Sequence, residues 1–156
     1  MIAGLISLLL LLMGNGRAAA SQVELRVFDH GKRLAVAGDS PAARELVSRC
    51  EEQLRMADTV LRLAVSPSLL QNLREQELVV EILYAEPRTL ARDHPGHTTL
   101  RVGRLLIPLT GDLSGEITTI FQGESRYLSG PYRNRQGTAE LKELVDKLGA
   151  RIKDRP

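Results

Sequence analysis

The chain has 156 residues, with 21 basic and 19 acidic side chains and a formal net charge of +2 at pH 7. Because the two signs are interspersed and nearly cancel, the composition gives no electrostatic argument for binding nucleic acid. Cys50 is the single cysteine, so an intramolecular disulfide is excluded; its spacing from neighbouring apolar residues predicts a buried side chain on a helix face.

Residues 1–20 have the pattern of a secretion signal. An apolar run from Ile2 to Met13 is followed by Gly-Asn-Gly-Arg and then by three small residues that end at Ala20. The run is shorter than the about 20 apolar residues that span a bilayer. We therefore predict a signal peptide cleaved after Ala20 and a bacterial protein that is periplasmic or secreted. No basic residue precedes the run, which leaves an uncleaved membrane anchor, and thus an anchored envelope component, as an alternative.

The first segment after this leader predicts a β-hairpin. Residues 23–29 and 32–37 alternate between apolar and polar side chains, and His30-Gly31 lies between them as a two-residue turn.

An amphipathic helix is predicted next. Ser40 is a favoured helix cap and Pro41 a favoured first residue. Glu51 and Arg55 are four residues apart, and we expect this pair on the exposed side of the helix. Apolar residues recur at helical spacing on the other side: Ala43, Leu46, Val47, Cys50, Leu54 and Ala57.

Ser66-Pro67 repeats the cap-then-proline start and predicts a short helix that ends before Glu77, whereas residues 59–65 fit either helix or strand. Residues 78–84 then predict a central strand, with Glu81 as its polar exception. A carboxylate in such a strand needs the solvent face or a partner such as arginine, and we expect a structural ion pair.

Breakers in residues 86–99 predict an exposed loop. Residues 100–109 and 117–122 predict two further strands; in the first, Gly103 suggests a bulge and Pro108 an edge position. Residues 125–137 are irregular in pattern.

The last predicted element is a helix that Thr138 caps and Gly149 terminates. Together the elements predict an α+β fold: one domain over residues 21–150, with an antiparallel sheet of four to five strands and two main helices on one face. Residues 151–156 are expected to form a frayed tail.

A segment rich in arginine and tyrosine is the leading candidate site. Arginine guanidinium groups and tyrosine rings are enriched at protein interfaces and at sites that bind carboxylate or phosphate groups. The alternative is a loop whose tyrosines cover the core while its arginines face water. The candidate residues are Arg126, Tyr127, Tyr132, Arg133 and Arg135. We interpret the chain as a non-enzymatic module that binds another protein or a small anionic ligand, with no cofactor, and with membrane contact only through an uncleaved leader.

A second candidate site comprises Asp93, His94 and His97, which are possible zinc or copper ligands around a Pro-Gly turn. With Glu81 as a further acid–base group, these residues give the alternative function, a small metal-dependent or acid–base hydrolase.

Overall fold

The structure is a computed structural model that describes residues 23–34, 36, 39–93 and 98–153. The leader lies outside the described residues, so the signal peptide stays a prediction. No helix in the part of the chain that the structure describes is long and apolar enough to cross a membrane.

The described residues form a mixed α+β fold, as predicted, with one seven-stranded antiparallel sheet and three helices. The strands lie in the order β2-β1-β4-β5-β6-β7-β3. The predicted four to five strands were too few, because two very short strands pair with each other across a long stretch of sequence. The elements are β1 (Val23–Asp29), β2 (Lys32–Leu34), α1 (Pro41–Arg55), β3 (Thr59–Val60), α2 (Pro67–Gln76), β4 (Leu78–Ala91), β5 (Thr99–Pro108), β6 (Thr118–Gly123), β7 (Tyr132–Asn134) and α3 (Ala139–Lys153).

Local signals placed the hairpin and the helix starts correctly. His30 and Gly31 have φ of 47° and 82°, the two positive values that a tight turn between twisted strands requires. The Ser40 hydroxyl accepts from Ala43 N at 3.1 Å, and the Ser66 hydroxyl accepts from Leu69 N at 3.1 Å. Both caps therefore act as the sequence predicts.

The sheet has a hydrophobic core on each face. α1 and α3 pack together on one face, where they cover the larger core, as predicted for the two main helices. Cys50 lies there and is fully buried, which confirms the prediction, and burial raises the pKa of its thiol. α2 covers part of the opposite face, where Leu70 and Leu73 contact Phe121 and its neighbours.

The loop predicted over residues 86–99 was wrong in its first part, because β4 continues to Ala91. The register shifts between Leu83 and Arg88, so that four residues of β4 lie opposite Gly103 alone. Pro87 falls in this irregular segment, where its missing N–H costs no regular ladder bond. The bulge that was expected at Gly103 of β5 therefore occurs in the neighbouring strand β4, which contributes the extra residues.

Two other expectations also need correction. Pro108 does not mark an edge, because β5 is the central strand of the seven and Pro108 is its last residue. Gly149 does not end the last helix, because α3 continues to Lys153.

Candidate functional site

The segment after β6 folds back directly onto the sheet. Leu128 N donates to Gln122 O at 2.9 Å, which closes the loop. A Cβ atom on Gly123 would overlap the carbonyl oxygen of Arg126, and one on Gly103 would overlap that of Glu124. These two glycines therefore allow the backbone of the loop to lie against β5 and β6 without a side chain between them.

Tyr127 anchors this loop in a buried ionic group, which we call the Glu81 cluster (Glu81, Arg74, Arg26 and Tyr127). The Tyr127 hydroxyl donates to Glu81 Oε1 at 2.7 Å, and Arg74 Nη2 donates to the same oxygen at 2.5 Å. Arg26 Nη1 lies 3.7 Å from Glu81 Oε2. Glu81 is 2% exposed, so the predicted structural ion pair is confirmed. Burial, and then the Glu81 charge, raise the pKa of the Tyr127 hydroxyl.

An open groove of about 430 Å³ lies between this loop and the first turn of α2. Its apolar walls include Val65, Leu70 and Leu128, and Leu128 is 45% exposed. Arg126 also lines the groove; it is exposed and pairs with no carboxylate among the described residues. The Ser129 hydroxyl accepts from Val65 N at 3.2 Å, which leaves its proton free to be donated. The groove thus combines a guanidinium and a hydroxyl with apolar walls.

The first turn of α2 adds a weaker contribution to the same groove. Pro67 has no N–H, the Ser66 hydroxyl caps Leu69, and Leu70 N donates to Ser66 O at 3.2 Å. The backbone N–H of Ser68 is therefore the remaining first-turn donor, although Ser68 itself does not line the groove. The positive end of the helix dipole favours an anion here by about 0.3–1 kcal/mol at an exposed position.

Only two of the five predicted arginine and tyrosine residues line this groove, namely Arg126 and Tyr127. Tyr132 packs against the core on the opposite face of the sheet, with the Arg92 guanidinium 4.5 Å from its ring centre. Arg133 is half-buried in β7, and the exposed Arg135 pairs with Asp58 at 3.3 Å. The structure therefore separates residues that are close together in the sequence.

Of the three predicted metal ligands the structure describes only Asp93, and this residue gives the metal hypothesis no support. Asp93 N donates to Arg55 O at 3.0 Å, whereas His94 and His97 lie outside the described residues. No group of three or more His, Cys, Asp or Glu side chains that could hold a metal ion occurs within the described ranges. Metal binding at this loop stays a prediction.

A second buried carboxylate, Glu51, was misplaced by the sequence interpretation. It was expected on the exposed side of α1 but is 9% exposed and faces the sheet. Glu51 Oε1 accepts from the Tyr84 hydroxyl at 2.9 Å and from Arg88 Nη1 at 3.1 Å, while Arg55 lies 3.8 Å from Oε2. Burial is the main cause that raises the pKa of Tyr84. The sequence signal that was missed is the spacing of three residues between Glu51 and Leu54, which places Glu51 beside the apolar stripe of α1.

No family model matches the chain, and no curated protein or solved structure is significantly similar to it. The chemistry of the groove is therefore what can indicate a function. Its lining residues among those described include no His, Cys, Asp or Glu. The groove thus offers groups that bind an anion, but no imidazole, thiolate or carboxylate that could act as a general base or metal ligand.

Proposed function

We propose that this chain is a non-enzymatic binding protein, exported to the periplasm or the extracellular space, that holds an anionic group of a protein or a small molecule in the groove beside Arg126. The observation that carries the proposal is the exposed Arg126 guanidinium, which pairs with no described carboxylate and borders apolar walls. A planar guanidinium recognises a carboxylate or phosphate through two parallel N–H bonds.

The walls of the groove favour an anion that carries carbon skeleton beside its charge. Leu128 and Leu70 give the skeleton an apolar surface, and Ser129 supplies a hydroxyl donor in the same groove. Because no lining residue is acidic, a carboxylate bound in the groove is in direct contact with no like charge. An acidic residue next to an apolar one in a protein segment has this chemistry.

The Glu81 cluster supports binding by holding the groove in place before a ligand arrives. Tyr127 lines the groove and is fixed to the sheet by its bond to Glu81, and Glu81 is fixed to α2 by Arg74. Both sides of the groove are therefore tied to one buried carboxylate. A site that is already ordered loses less conformational entropy when it binds.

The chemistry of the groove also favours binding over catalysis. The hydroxyl oxygens of Ser66 and Ser129 accept from backbone N–H groups, and neither has a described imidazole or carboxylate partner that would activate it as a nucleophile.

Peptide titration followed by backbone amide NMR shifts tests this proposal. The probes are a blocked peptide with one aspartate between two leucines, its asparagine counterpart, and inorganic phosphate. We expect the aspartate peptide to shift the amides around Arg126 and Ser129, with an affinity that Arg126→Ala lowers by about 10- to 100-fold, as for loss of a hydrogen bond to a charged group.

Arg44→Ala is the matched control, because Arg44 is exposed on α1 and has no described partner. It is expected to leave the affinity unchanged. If no probe shifts the amides of the groove, or if the two peptides bind equally well, the proposed site is wrong.

Export is tested separately by the intact mass and cell fraction of the protein expressed from its native start in a bacterial host. A soluble periplasmic product that begins at Ser21 would support export with cleavage. An uncleaved product in the membrane would favour the anchored alternative, and a soluble uncleaved product in the cytoplasm would contradict export.

A further inference from the structure

Three large apolar side chains are exposed among the described residues, and two of them, Met56 and Val60, lie next to or in the edge strand β3. Met56, Val60 and Leu128 are 39%, 52% and 45% exposed. Met56 caps the end of α1, just before β3, and Val60 lies in β3 itself. Val60 Cγ1 is 3.1 Å from where a Cβ of Gly130 would lie, and Gly130 is two residues from Leu128. An exposed apolar side chain on an edge strand favours an interaction surface there.

The edge strand at this surface has outward-facing backbone groups for which the described residues provide no partner. β3 pairs only with β7, and Leu61 N donates inward to Pro131 O at 2.8 Å. Because backbone groups alternate along a strand, Val60 directs its N–H and C=O outward. β2, at the opposite edge, carries Lys32 and Arg33, the kind of charged residues that protect an edge from pairing, whereas β3 consists of Thr59 and Val60.

We propose that β3 pairs with β3 of a second copy of this chain, antiparallel and centred on Val60. The sequence around Val60 is self-complementary in charge, because Asp58 precedes it by two residues and Arg62 follows it by two. Antiparallel pairing about Val60 sets Asp58 of each copy opposite Arg62 of the partner subunit. A two-fold axis satisfies both charge pairs at once, which is the property of a symmetric dimer interface.

The geometry limits the strength of this dimer. The extended stretch ends at Arg62, where Leu63 N donates back to Leu61 O at 2.8 Å. Asp58 also pairs with Arg135 of its own chain, so in the dimer its carboxylate would be shared between Arg135 and Arg62 of the partner subunit. So short a pairing falls below the about 1,200 Å² of a stable interface. We expect a dissociation constant on the order of 10–100 µM.

Sedimentation equilibrium of the purified protein, over concentrations from about tenfold below to tenfold above that constant, tests the proposal. The expected result is a monomer–dimer equilibrium. Val60→Lys is expected to weaken the dimer at least about tenfold, because it places two like charges at the axis. Val60 is exposed, so this variant is expected to fold, and circular dichroism checks that it does.

Arg62→Glu, which sets an acid opposite Asp58, is expected to weaken the dimer about fivefold or more. Arg44→Glu makes the same charge change on α1, away from the edge, and is expected to leave the equilibrium unchanged. A protein that stays monomeric over the whole range, or a dimer that neither Val60→Lys nor Arg62→Glu weakens, overturns the proposal. The inference does not depend on the proposed binding function.

Discussion

Glu81→Gln removes the negative charge of the Glu81 cluster while it keeps the shape of the side chain. Glu81 is 2% exposed, and its Oε1 accepts from both Arg74 and Tyr127. Glutamine can still accept from Tyr127, but it leaves the Arg74 guanidinium without its carboxylate. A hydrogen bond to a charged group contributes about 1.5–3 kcal/mol, and removing one partner of a fully buried ion pair costs about 3–5 kcal/mol.

Because the Arg74 side chain is 27% exposed, water can hydrogen-bond to its guanidinium once the carboxylate is gone. The lower of the two free-energy ranges therefore applies. We expect Glu81→Gln to lower the free energy of unfolding by about 2–3 kcal/mol. Urea denaturation of the purified protein measures this change. A double-mutant cycle with Tyr127→Phe is expected to give a coupling energy of about 1 kcal/mol, because Tyr127 donates to a charged acceptor in the wild type and to a neutral one in Glu81→Gln.

Glu24→Gln is the matched control. Glu24 also pairs with Arg26, at 2.8 Å, but its side chain is 47% exposed. Exposed pairs contribute little, so we expect a loss of about 0.5 kcal/mol or less. If Glu81→Gln costs no more than Glu24→Gln, burial does not make the Glu81 cluster stabilising, and the argument that it holds the groove in place fails.

Three further predictions follow from burial and close packing. Gly123→Ala is expected to lower the free energy of unfolding, measured by thermal unfolding, by about 2 kcal/mol or more, because its Cβ would overlap the Arg126 carbonyl. Gly149→Ala has open space around it in α3 and is expected to raise the free energy of unfolding by about 0.5–1 kcal/mol. Because Cys50 is fully buried and its thiol pKa is raised, a thiol reagent is expected to modify it only at the rate of unfolding; fast modification under native conditions would contradict its placement. The raised pKa of Tyr127 keeps its proton on the folded protein while the unfolded chain ionises near pH 10, so stability is expected to fall above that pH, and Tyr127→Phe is expected to make this fall shallower in alkaline denaturation.

Sequence predicted the elements that local chemistry determines. The turn at His30-Gly31 and the two Ser-Pro helix starts need only their own residues, and all are present in the structure. β7 was missed, and β3 was only one of two alternatives for residues 59–65, because each of these short strands is defined by its pairing with the other. The extension of β4 past Tyr84 was also missed, because its residues carry the polar and proline pattern of a loop while a register shift against β5 accommodates them.

The sequence predicted only part of the candidate site, because it does not give the register of a very short strand. The sequence singled out Arg126 and Tyr127, which do line the groove, together with Tyr132, which lies on the other face of the sheet. The face that a residue occupies follows from strand register, and sequence patterns give no register for so short a strand as β7. The requirement that Glu81 find an arginine was predictable from its apolar strand, and Arg74 meets it.

The strand order also determines when the parts of the sheet can form. β1 pairs with β4, although two helices lie between them in the chain, and β3 pairs with β7, which is the last strand. Sheets dominated by such distant pairings fold in milliseconds to seconds rather than microseconds. During synthesis the β1–β2 hairpin is made before its neighbour β4, so β1 lacks this strand partner until residues 78–84 have been added. Refolding kinetics of this protein are therefore expected to be limited by closure of these long loops rather than by formation of α1 or α3.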